Sequence, residues 1–340
     1  MSHFELIINF KKLRTIFDIQ TEQDFLAESL RVFRYQYDNI EVYRNFVSYL
    51  NINPDEVTEL EDIPFLPIEM FKNHTVIDRN VTAGLFFQSS GTTQMNLSKH
   101  FIADENIYQE SIYKSFEKFI GKPEDFIFLG LLPSYLEKQN SSLIYMVDYL
   151  MKKSAKPENG YFLYNHSDLF ELLNTIQDKK VILFGVSFAL LDFLDYCHSE
   201  RSEESLNFLE NLVVIETGGM KGRKEEMTKD ELLEILKKGF KTDKIYSEYS
   251  MTELLSQAYS LGNNEYDCPG WMKIMIRNTE DPFAYEKEGR TGAINIIDLA
   301  NIHSCAFIAT QDLGKIVGDK FQVLGRIDHS DIRGCSLLVS

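Results

Sequence analysis

The sequence contains no uninterrupted run of about 18 apolar residues, which is the length that a membrane-spanning helix needs. Residues Met1 to Phe10 hold only a short apolar stretch, basic residues follow this stretch instead of preceding it, and no small-residue cleavage site appears. This order is unlike that of a secretory signal peptide. We therefore expect a cytoplasmic protein without a membrane span.

Positive charge and proline are also scarce. Lys and Arg total 35 against 52 Asp and Glu, so the formal net charge is −17, and no local basic patch opposes this field. Because a nucleic-acid backbone would be repelled, we expect no nucleic-acid partner. With 8 Pro, 25 Phe, 17 Tyr and 44% hydrophobic residues, the composition favours packed helices and strands over disorder.

The cysteines offer no metal site and no disulfide framework. None belongs to a C-x-x-C pair, and none has a histidine at ligand spacing. The four lie tens of residues apart, at Cys197, Cys268, Cys305 and Cys335.

Hydrophobic periodicity predicts the order of the elements. A helical leader should cover residues 1–50, with Thr21 capping its first long helix. Helices and apolar strands then alternate over residues 85–260, which is typical of a mostly parallel sheet flanked by helices. Residues 262–325 are strand-rich and predict a smaller β-rich lobe, and His198 to Ser205 is interpreted as an exposed loop. The predicted fold class is α/β.

A polar loop between Gln88 and Gln94 is the first candidate site. Small hydroxyl residues around a glycine offer backbone N–H groups and hydroxyls to a triphosphate, although an ordinary loop can have the same composition. The loop is not a Walker loop, since G-x-x-x-x-G-K is absent. Its candidate phosphate ligands are Ser89, Ser90, Gly91, Thr92 and Thr93.

A second candidate follows a predicted strand at Tyr249. An aromatic ring suits stacking on adenine, and a carboxylate beside a hydroxyl, here Glu253 and Thr252, suits Mg²⁺. The alternative is a helix cap in which Ser250 or Thr252 accepts from the backbone.

Three further segments lie at strand ends or turns. The glycine-rich segment from Thr217 to Arg223 follows a strand end, where open parallel sheets bind ligands, although a plain turn fits as well. Asp312 can accept from ribose hydroxyls, and Arg326 can meet a ribose or a phosphate. The candidate residues of the glycine-rich segment are Gly218, Gly219 and Lys221.

In this order the segments resemble the adenylate-forming superfamily, whose members share a Ser/Thr/Gly phosphate loop, a Tyr-Gly-x-Thr-Glu segment, a late Asp and a Gly-Arg-x-Asp hinge. Three phrases are similar to the acyl-protein synthetase (LuxE) family of bacterial bioluminescence systems. They are Ile63 to Pro67 with Phe71-Lys72, Glu216 to Arg223, and Arg333 to Leu337.

The resemblance implies a function and a domain organisation. Residues 1–325 would form the adenylate-forming N-terminal domain, and residues 326–340 a hinge and a short tail in place of most of the C-terminal domain. The chain would use ATP and Mg²⁺ to activate a carboxylic acid, with a long-chain fatty acid favoured. An acyl reductase or an acyl-carrier protein would be its partner. Lys99, Lys221 and Arg223 remain open as replacements for the catalytic lysine of larger members.

The resemblance also assigns roles to single residues. Ser89, Ser90, Thr92 and Thr93 would line the phosphates, Tyr249 would face the adenine, Thr252 and Glu253 would serve phosphate and Mg²⁺, and Asp312 with Arg326 would hold the ribose. Cys335 would receive the acyl group as a thioester. Gln94 and Ser250 depart from the pattern, because relatives have Gly at both places.

Two other functions compete with this one. A G-x-S-x-A turn at Ser187 is typical of a hydrolase nucleophile elbow, with His303 available later in the chain. A catalytically silent nucleotide-binding scaffold is the second alternative.

Overall fold

Eight helices occur in the parts of the chain that the computed structural model describes, which are residues 14–89, 97–133, 140–176, 178–200, 211–218 and 227–327. They are α1 (Glu22–Asn39), α2 (Glu41–Tyr49), α3 (Met70–Asn73), α4 (Glu105–Phe119), α5 (Ser142–Ser154), α6 (His166–Thr175), α7 (Ser187–Glu200) and α8 (Lys229–Phe240). None of these helices combines the length and the apolar character that crossing a bilayer requires.

The same ranges contain fourteen strands. They are β1 (Leu66–Pro67), β2 (Leu85–Gln88), β3 (Lys99–Ile102), β4 (Ile127–Leu131), β5 (Gly160–Phe162), β6 (Val181–Gly185), β7 (Leu212–Glu216), β8 (Ile245–Tyr249), β9 (Ala258–Ser260), β10 (Tyr266–Asp267), β11 (Met272–Arg277), β12 (Gly292–Asp298), β13 (Phe307–Val317) and β14 (Lys320–Arg326).

Twelve strands form one sheet with a parallel half and an antiparallel half. The parallel half has the order β5-β4-β6-β7-β8, and a helix follows each of its strands except β8. Strands β4, β6 and β7 are buried along their whole length, as helices on both faces of a parallel sheet require. The structure therefore confirms the predicted α/β class.

The antiparallel half continues the same sheet in the order β9-β10-β14-β13-β12-β11. Strand β9 pairs with β8, so the strands predicted as a β-rich lobe are hydrogen-bonded to the parallel half without a break. Strand β1 adds to β13 in parallel, and β2 pairs with β3 in a separate hairpin.

The helical leader packs onto the antiparallel half. Thr21 caps α1 as predicted, because its hydroxyl accepts from Asp24 N at 3.1 Å. The buried rings of Phe33 and Tyr43 lie 6.3 and 6.1 Å from the ring of Phe307 in β13. Burial of these rings in one apolar core fixes the leader against the strand that carries Asp312.

Two predicted boundaries differ from the structure. Helix α7 continues to Glu200, so the start of the predicted exposed loop is helical. Within the strand-rich region, the short apolar run from Ala306 to Ala309 predicts a strand of about four residues, but β13 extends to Val317. Its second half begins with three polar residues, Thr310 to Asp312, and Thr310 is buried there with its hydroxyl donating to Ile294 O at 2.8 Å. A local apolar signal cannot reveal a strand of this kind.

Candidate functional site

The candidate site lies where the parallel strands end. Gly185, Glu216 and Tyr249 are the last residues of the neighbouring strands β6, β7 and β8. The carboxyl ends of parallel strands meet at one edge of a sheet, and ligands of open α/β folds bind there.

Asp312 connects Tyr249 with Arg326. The Tyr249 hydroxyl donates to Asp312 Oδ2 at 2.9 Å, and Arg326 Nε donates to Asp312 Oδ1 at 2.9 Å. Asp312 and Arg326 face each other directly across β13 and β14. Three of the residues predicted to surround a nucleotide therefore converge.

The Tyr249 side chain is held by two neighbouring rings. It packs edge-to-face on Tyr266 and Phe321, with ring centroids 5.9 and 5.5 Å away. Burial, reinforced by the charge and hydrogen bond of Asp312, raises the pKa of Tyr249 well above 10. The phenol thus stays protonated and donates to the carboxylate.

Glu253 supplies a buried carboxyl group beside this triad. Only 4% of the residue is exposed, and burial raises its pKa. A hydrogen bond from Ser98 and the positive charges of Arg326 and Lys72 oppose this rise. Such a carboxylate can share a metal ion with a bound phosphate, and the cationic neighbours can attract the phosphate itself.

The residues of this site fit Mg²⁺ bound together with phosphate. No cluster of three metal-ligating side chains occurs in the described ranges. Mg²⁺, however, is usually held by one or two carboxylates plus the phosphates of its nucleotide. Glu253 meets this requirement, with Thr252 as its neighbour in the chain.

The base of the predicted phosphate loop is closed by two hydrogen bonds between Ser89 and Ser98. Ser89 N donates to Ser98 O at 3.1 Å, and Ser98 N donates to Ser89 Oγ at 3.0 Å. Gln88 and Lys99 form the adjoining pair between β2 and β3. The predicted ligands Ser90, Gly91, Thr92 and Thr93 lie outside the described residues.

No family model matches the chain, and no curated protein matches it. A solved structure of 2-hydroxyisobutyryl-CoA ligase in complex with 2-HIB-AMP and CoA is similar, with 14% identity and a TM-score of 0.69 over 91% of this chain and 68% of that one. ATP-bound MatB from Rhodopseudomonas palustris has 14% identity and a TM-score of 0.54, over 74% of this chain and 49% of that one.

A third similar structure is the luciferase-like enzyme from the nonluminescent mealworm Zophobas morio. It has 12% identity and a TM-score of 0.50, over 82% of this chain and 62% of that one. This chain has the adenylate-forming fold. Identities this low establish the fold alone.

The structure describes only the first residues of the glycine-rich segment that follows β7. Gly218 has φ of 80°, a conformation that glycine adopts without strain, and its N–H donates to Glu216 Oε1 at 2.6 Å. Gly219 and Lys221 lie outside the described residues, as does Cys335. Their predicted roles stay predictions.

Glu216 forms a buried cluster that sequence analysis did not find. Its carboxylate accepts from the Ser187 hydroxyl and pairs with the Lys229 ammonium. Burial alone would raise the pKa of Glu216, but Lys229, Ser187 and the N–H of Gly218 together lower it. The cluster joins the end of β7 to the starts of α7 and α8.

The same cluster bears on the hydrolase alternative. A nucleophilic serine needs a neighbouring base to accept its proton, usually a histidine. Ser187 is 1% exposed and its hydroxyl donates to a carboxylate that is already ion-paired. The ring of His303 lies 3.5 Å from the Tyr35 hydroxyl. This geometry gives the elbow serine a structural role.

His100 and Asn301 hold the backbone at Glu253 and were not found from the sequence. His100 Nδ1 lies 2.9 Å from Thr252 O, and its Nε2 lies 2.9 Å from Asn301 Oδ1. Asn301 Nδ2 donates to Glu253 O at 2.7 Å. Because both His100 nitrogens face oxygen acceptors, these contacts favour the protonated ring, but burial has the larger effect and lowers its pKa to about 4. The neutral ring donates to one of the two acceptors.

The segment after Glu253 is fixed by Asp298. Its Oδ2 accepts from the N–H groups of Leu255 and Ser256 at 2.7 and 3.1 Å, and its Oδ1 accepts from the Ser256 hydroxyl at 2.5 Å. Residues 251–256 contain no regular helix, so the predicted helix cap at this place is not formed. Thr252 and Glu253 are therefore held by side chains that are distant in the sequence, and not by a helix.

Proposed function

We propose that this chain activates a carboxylic acid with ATP as an acyl-adenylate and passes the acyl group to a thiol. The observation that carries the proposal is the convergence of Tyr249, Asp312, Arg326 and Glu253 at the carboxyl end of β8. The adenylate-forming fold supports it, and so do the ligands bound in two similar structures: 2-HIB-AMP with CoA in one and ATP in the other.

The nucleoside end of ATP would lie at Asp312. Each of its oxygens accepts one hydrogen bond from the described residues and keeps a second lone pair for a ligand, so two ribose hydroxyls can donate to the same carboxylate. Arg326 and Tyr249 hold that carboxylate in place. In this position the Tyr249 ring would border the adenine pocket.

The triphosphate would extend from there toward Glu253 and the loop that Ser89 and Ser98 close. Glu253 and Thr252 would hold Mg²⁺ with the phosphates, and the metal would supply charge neutralisation on the phosphate oxygens. Hydroxyls and N–H groups of the loop would donate to the same oxygens, as the resemblance predicts for Ser90, Gly91, Thr92 and Thr93.

Two group transfers complete the reaction. A carboxylate oxygen of the acid attacks the α-phosphorus, the bond to the bridging oxygen breaks, and pyrophosphate leaves. A thiolate then attacks the acyl carbonyl carbon, and AMP leaves with the electron pair of the acyl–oxygen bond. Cys335 is the proposed thiol, a long-chain fatty acid the proposed acid, and an acyl reductase or acyl-carrier protein the proposed receiver.

An isotope exchange assay tests the first transfer. Purified protein with Mg²⁺, ATP and a panel of carboxylic acids should catalyse acid-dependent exchange between pyrophosphate and ATP, and Asp312→Asn should reduce it. Tight ATP binding without exchange for any acid would instead favour the silent nucleotide-binding scaffold.

The second transfer has its own assay. Radiolabelled acid and ATP should label the wild-type chain in a hydroxylamine-sensitive bond, and Cys335→Ser should abolish this label while pyrophosphate exchange continues. Hydroxylamine-sensitive labelling of Cys335→Ser at the wild-type level would contradict the role of this cysteine.

A further inference from the structure

Lys72 is held rigidly between two strands that carry site residues. Its neighbour Phe71 is 1% exposed and packs edge-to-face on the ring of His100 in β3, with centroids 5.8 Å apart. Before it, Ile68 N donates to Ala309 O in β13 at 3.0 Å. Helix α3, which contains Lys72, is thus tied both to the strand that leaves the phosphate loop and to the strand that contains Asp312.

The charge of Lys72 reaches the candidate site. The His100 ring on which Phe71 packs has its Nδ1 2.9 Å from Thr252 O, next to Glu253. The positive charge of Lys72, like that of Arg326, opposes the rise that burial causes in the pKa of Glu253. Arg326 is already bonded to Asp312. The ammonium of Lys72, by contrast, makes no ion pair and no hydrogen bond to any residue of the described ranges, although the residue is half-buried.

A half-buried cation without a counter-ion is unfavourable, because burial removes water that would solvate it. An anion bound beside it would restore the balance through charge-assisted hydrogen bonds. The side chains of Lys72 and Glu253 form no ion pair with each other. Binding of an anion at Lys72 would therefore displace no counter-ion from among the described residues.

We propose that Lys72 is a catalytic residue that binds the terminal phosphates of ATP and stabilises the charge that develops on the departing pyrophosphate. This inference rests on the proposed function and deepens it. When the bond between the α-phosphorus and the bridging oxygen breaks, that oxygen and the pyrophosphate gain negative charge, which a fixed ammonium stabilises more strongly in a site with little water. No proton needs to move at Lys72.

Lys99 is the competing cation among the described residues. It starts β3 next to the loop, but its side chain is exposed and its ammonium lies 5.8 Å from the ring centroid of Phe86. An exposed ammonium is solvated by water and gains less from a phosphate than a half-buried one. The structure therefore favours Lys72 over Lys99.

Calorimetric titration with ATP, pyrophosphate and AMP distinguishes this role. Lys72→Met should weaken binding of ATP and of pyrophosphate by about tenfold or more, the effect of losing a charge-assisted hydrogen bond, and should leave AMP binding within about twofold. The loss should persist in EDTA, because the contact does not depend on Mg²⁺. Lys72→Arg should recover part of the affinity, and acid-dependent pyrophosphate exchange should fall in Lys72→Met.

Two control variants accompany the measurement. Lys99→Met tests the competing cation, and Lys152→Met removes an exposed lysine of α5. Neither should change the ratio of ATP affinity to AMP affinity by more than about twofold. Thermal unfolding of each variant reports whether the fold is intact.

Three results would overturn the proposal. They are an unchanged ATP affinity in Lys72→Met, an equal loss of ATP and AMP affinity with lowered thermal stability, and a selective loss of ATP affinity in Lys99→Met instead. If the wild-type protein binds neither ATP nor pyrophosphate, the proposed function itself fails and this inference fails with it. If the wild type catalyses pyrophosphate exchange and Lys72→Met keeps full ATP affinity, the role of Lys72 is refuted while the proposed function stands.

Discussion

The Tyr249 hydroxyl reaches Asp312 although β9, β10 and β14 lie between their strands in the sheet order. Neighbouring strands are about 4.8 Å apart, so four steps across a flat sheet would span about 19 Å, farther than the two side chains reach. The sheet must curl strongly between β8 and β13. Short strands allow this, since β9 has three residues and β10 has two.

Tyr249→Phe removes one donor from Asp312 and keeps the packed ring. We expect the free energy of unfolding to fall by about 1 kcal/mol, the usual net contribution of one hydrogen bond. AMP affinity should fall by about fivefold, because the carboxylate proposed to hold the ribose is less well fixed. Denaturant titration and calorimetry measure the two changes. Tyr164→Phe, at a residue that is 61% exposed, is the control and should change neither. Unaltered AMP affinity in Tyr249→Phe would show that the hydrogen bond between Tyr249 and Asp312 does not contribute to nucleotide binding.

Glu253→Gln tests the carboxylate assigned to Mg²⁺. The amide is nearly isosteric but cannot carry the negative charge that the metal ion requires. We expect acid-dependent pyrophosphate exchange to fall by about 100-fold or more, and ATP affinity to fall in the presence of Mg²⁺. In EDTA, the affinities of variant and wild type should be similar, because no metal then links Glu253 to the phosphates. A loss of affinity that is the same with and without Mg²⁺ would argue against metal binding at this residue.

His100→Phe removes both ring contacts that support residues 252–253. Phenylalanine keeps the ring packing on Phe71, while Thr252 O or Asn301 Oδ1 loses a buried donor, so we expect a loss of about 3 kcal/mol in the free energy of unfolding. Pyrophosphate exchange should fall more than AMP affinity, because Glu253 is displaced whereas Asp312 is not. His74→Phe, at an exposed position, is the control. Unchanged exchange in a destabilised His100→Phe protein would restrict His100 to a structural role.

Local signals predicted much of the fold. The cap predicted at Thr21 sets the start of α1, since its side chain accepts from the backbone N–H three residues later. The residue type of Asp104 signals the start of α4 in the same way, and its side chain accepts from the N–H two residues later. Apolar runs with turns between them predicted the parallel strands, because such strands are buried on both faces. Signals of this kind depend on a few neighbouring residues and can be read from one sequence.

The supports of the site could not be predicted in the same way. His100 contacts Thr252 across 152 residues of chain, and nothing within β3 distinguishes it from an ordinary strand residue. Tyr249, Glu253, Asp312 and Arg326 were predicted because their motif order resembles a known superfamily, not because their proximity can be derived from spacing. Lys72 appeared only as part of a family phrase, since its proximity to Glu253 depends on the packing of α3 between β3 and β13.

Glu248 gives the protein a measurable dependence of stability on pH. It lies beside Tyr249 in β8, is 6% exposed, and its Oε1 has no hydrogen-bond partner among the described residues. Burial raises its pKa from 4.5 to about 7, although a hydrogen bond from Ser250 opposes this rise. The folded protein therefore holds a proton that the unfolded chain releases between these pH values.

The sign of the effect follows from this difference. Below pH 4.5 both states carry the proton and the contribution of Glu248 is fully present, whereas above pH 7 the folded state must bury a charge, so stability is lost as the pH rises through that window. Between pH 4.5 and pH 8, wild-type stability should fall by roughly 3 kcal/mol relative to Glu248→Gln, whose side chain does not titrate. Denaturant titrations of both proteins at several pH values measure this difference, and Glu171→Gln, at an exposed position, should follow the wild type. If the two proteins instead differ in free energy of unfolding by the same amount at every pH in the window, the pKa of Glu248 is not raised in the folded protein. A partner would then offset the effect of its burial.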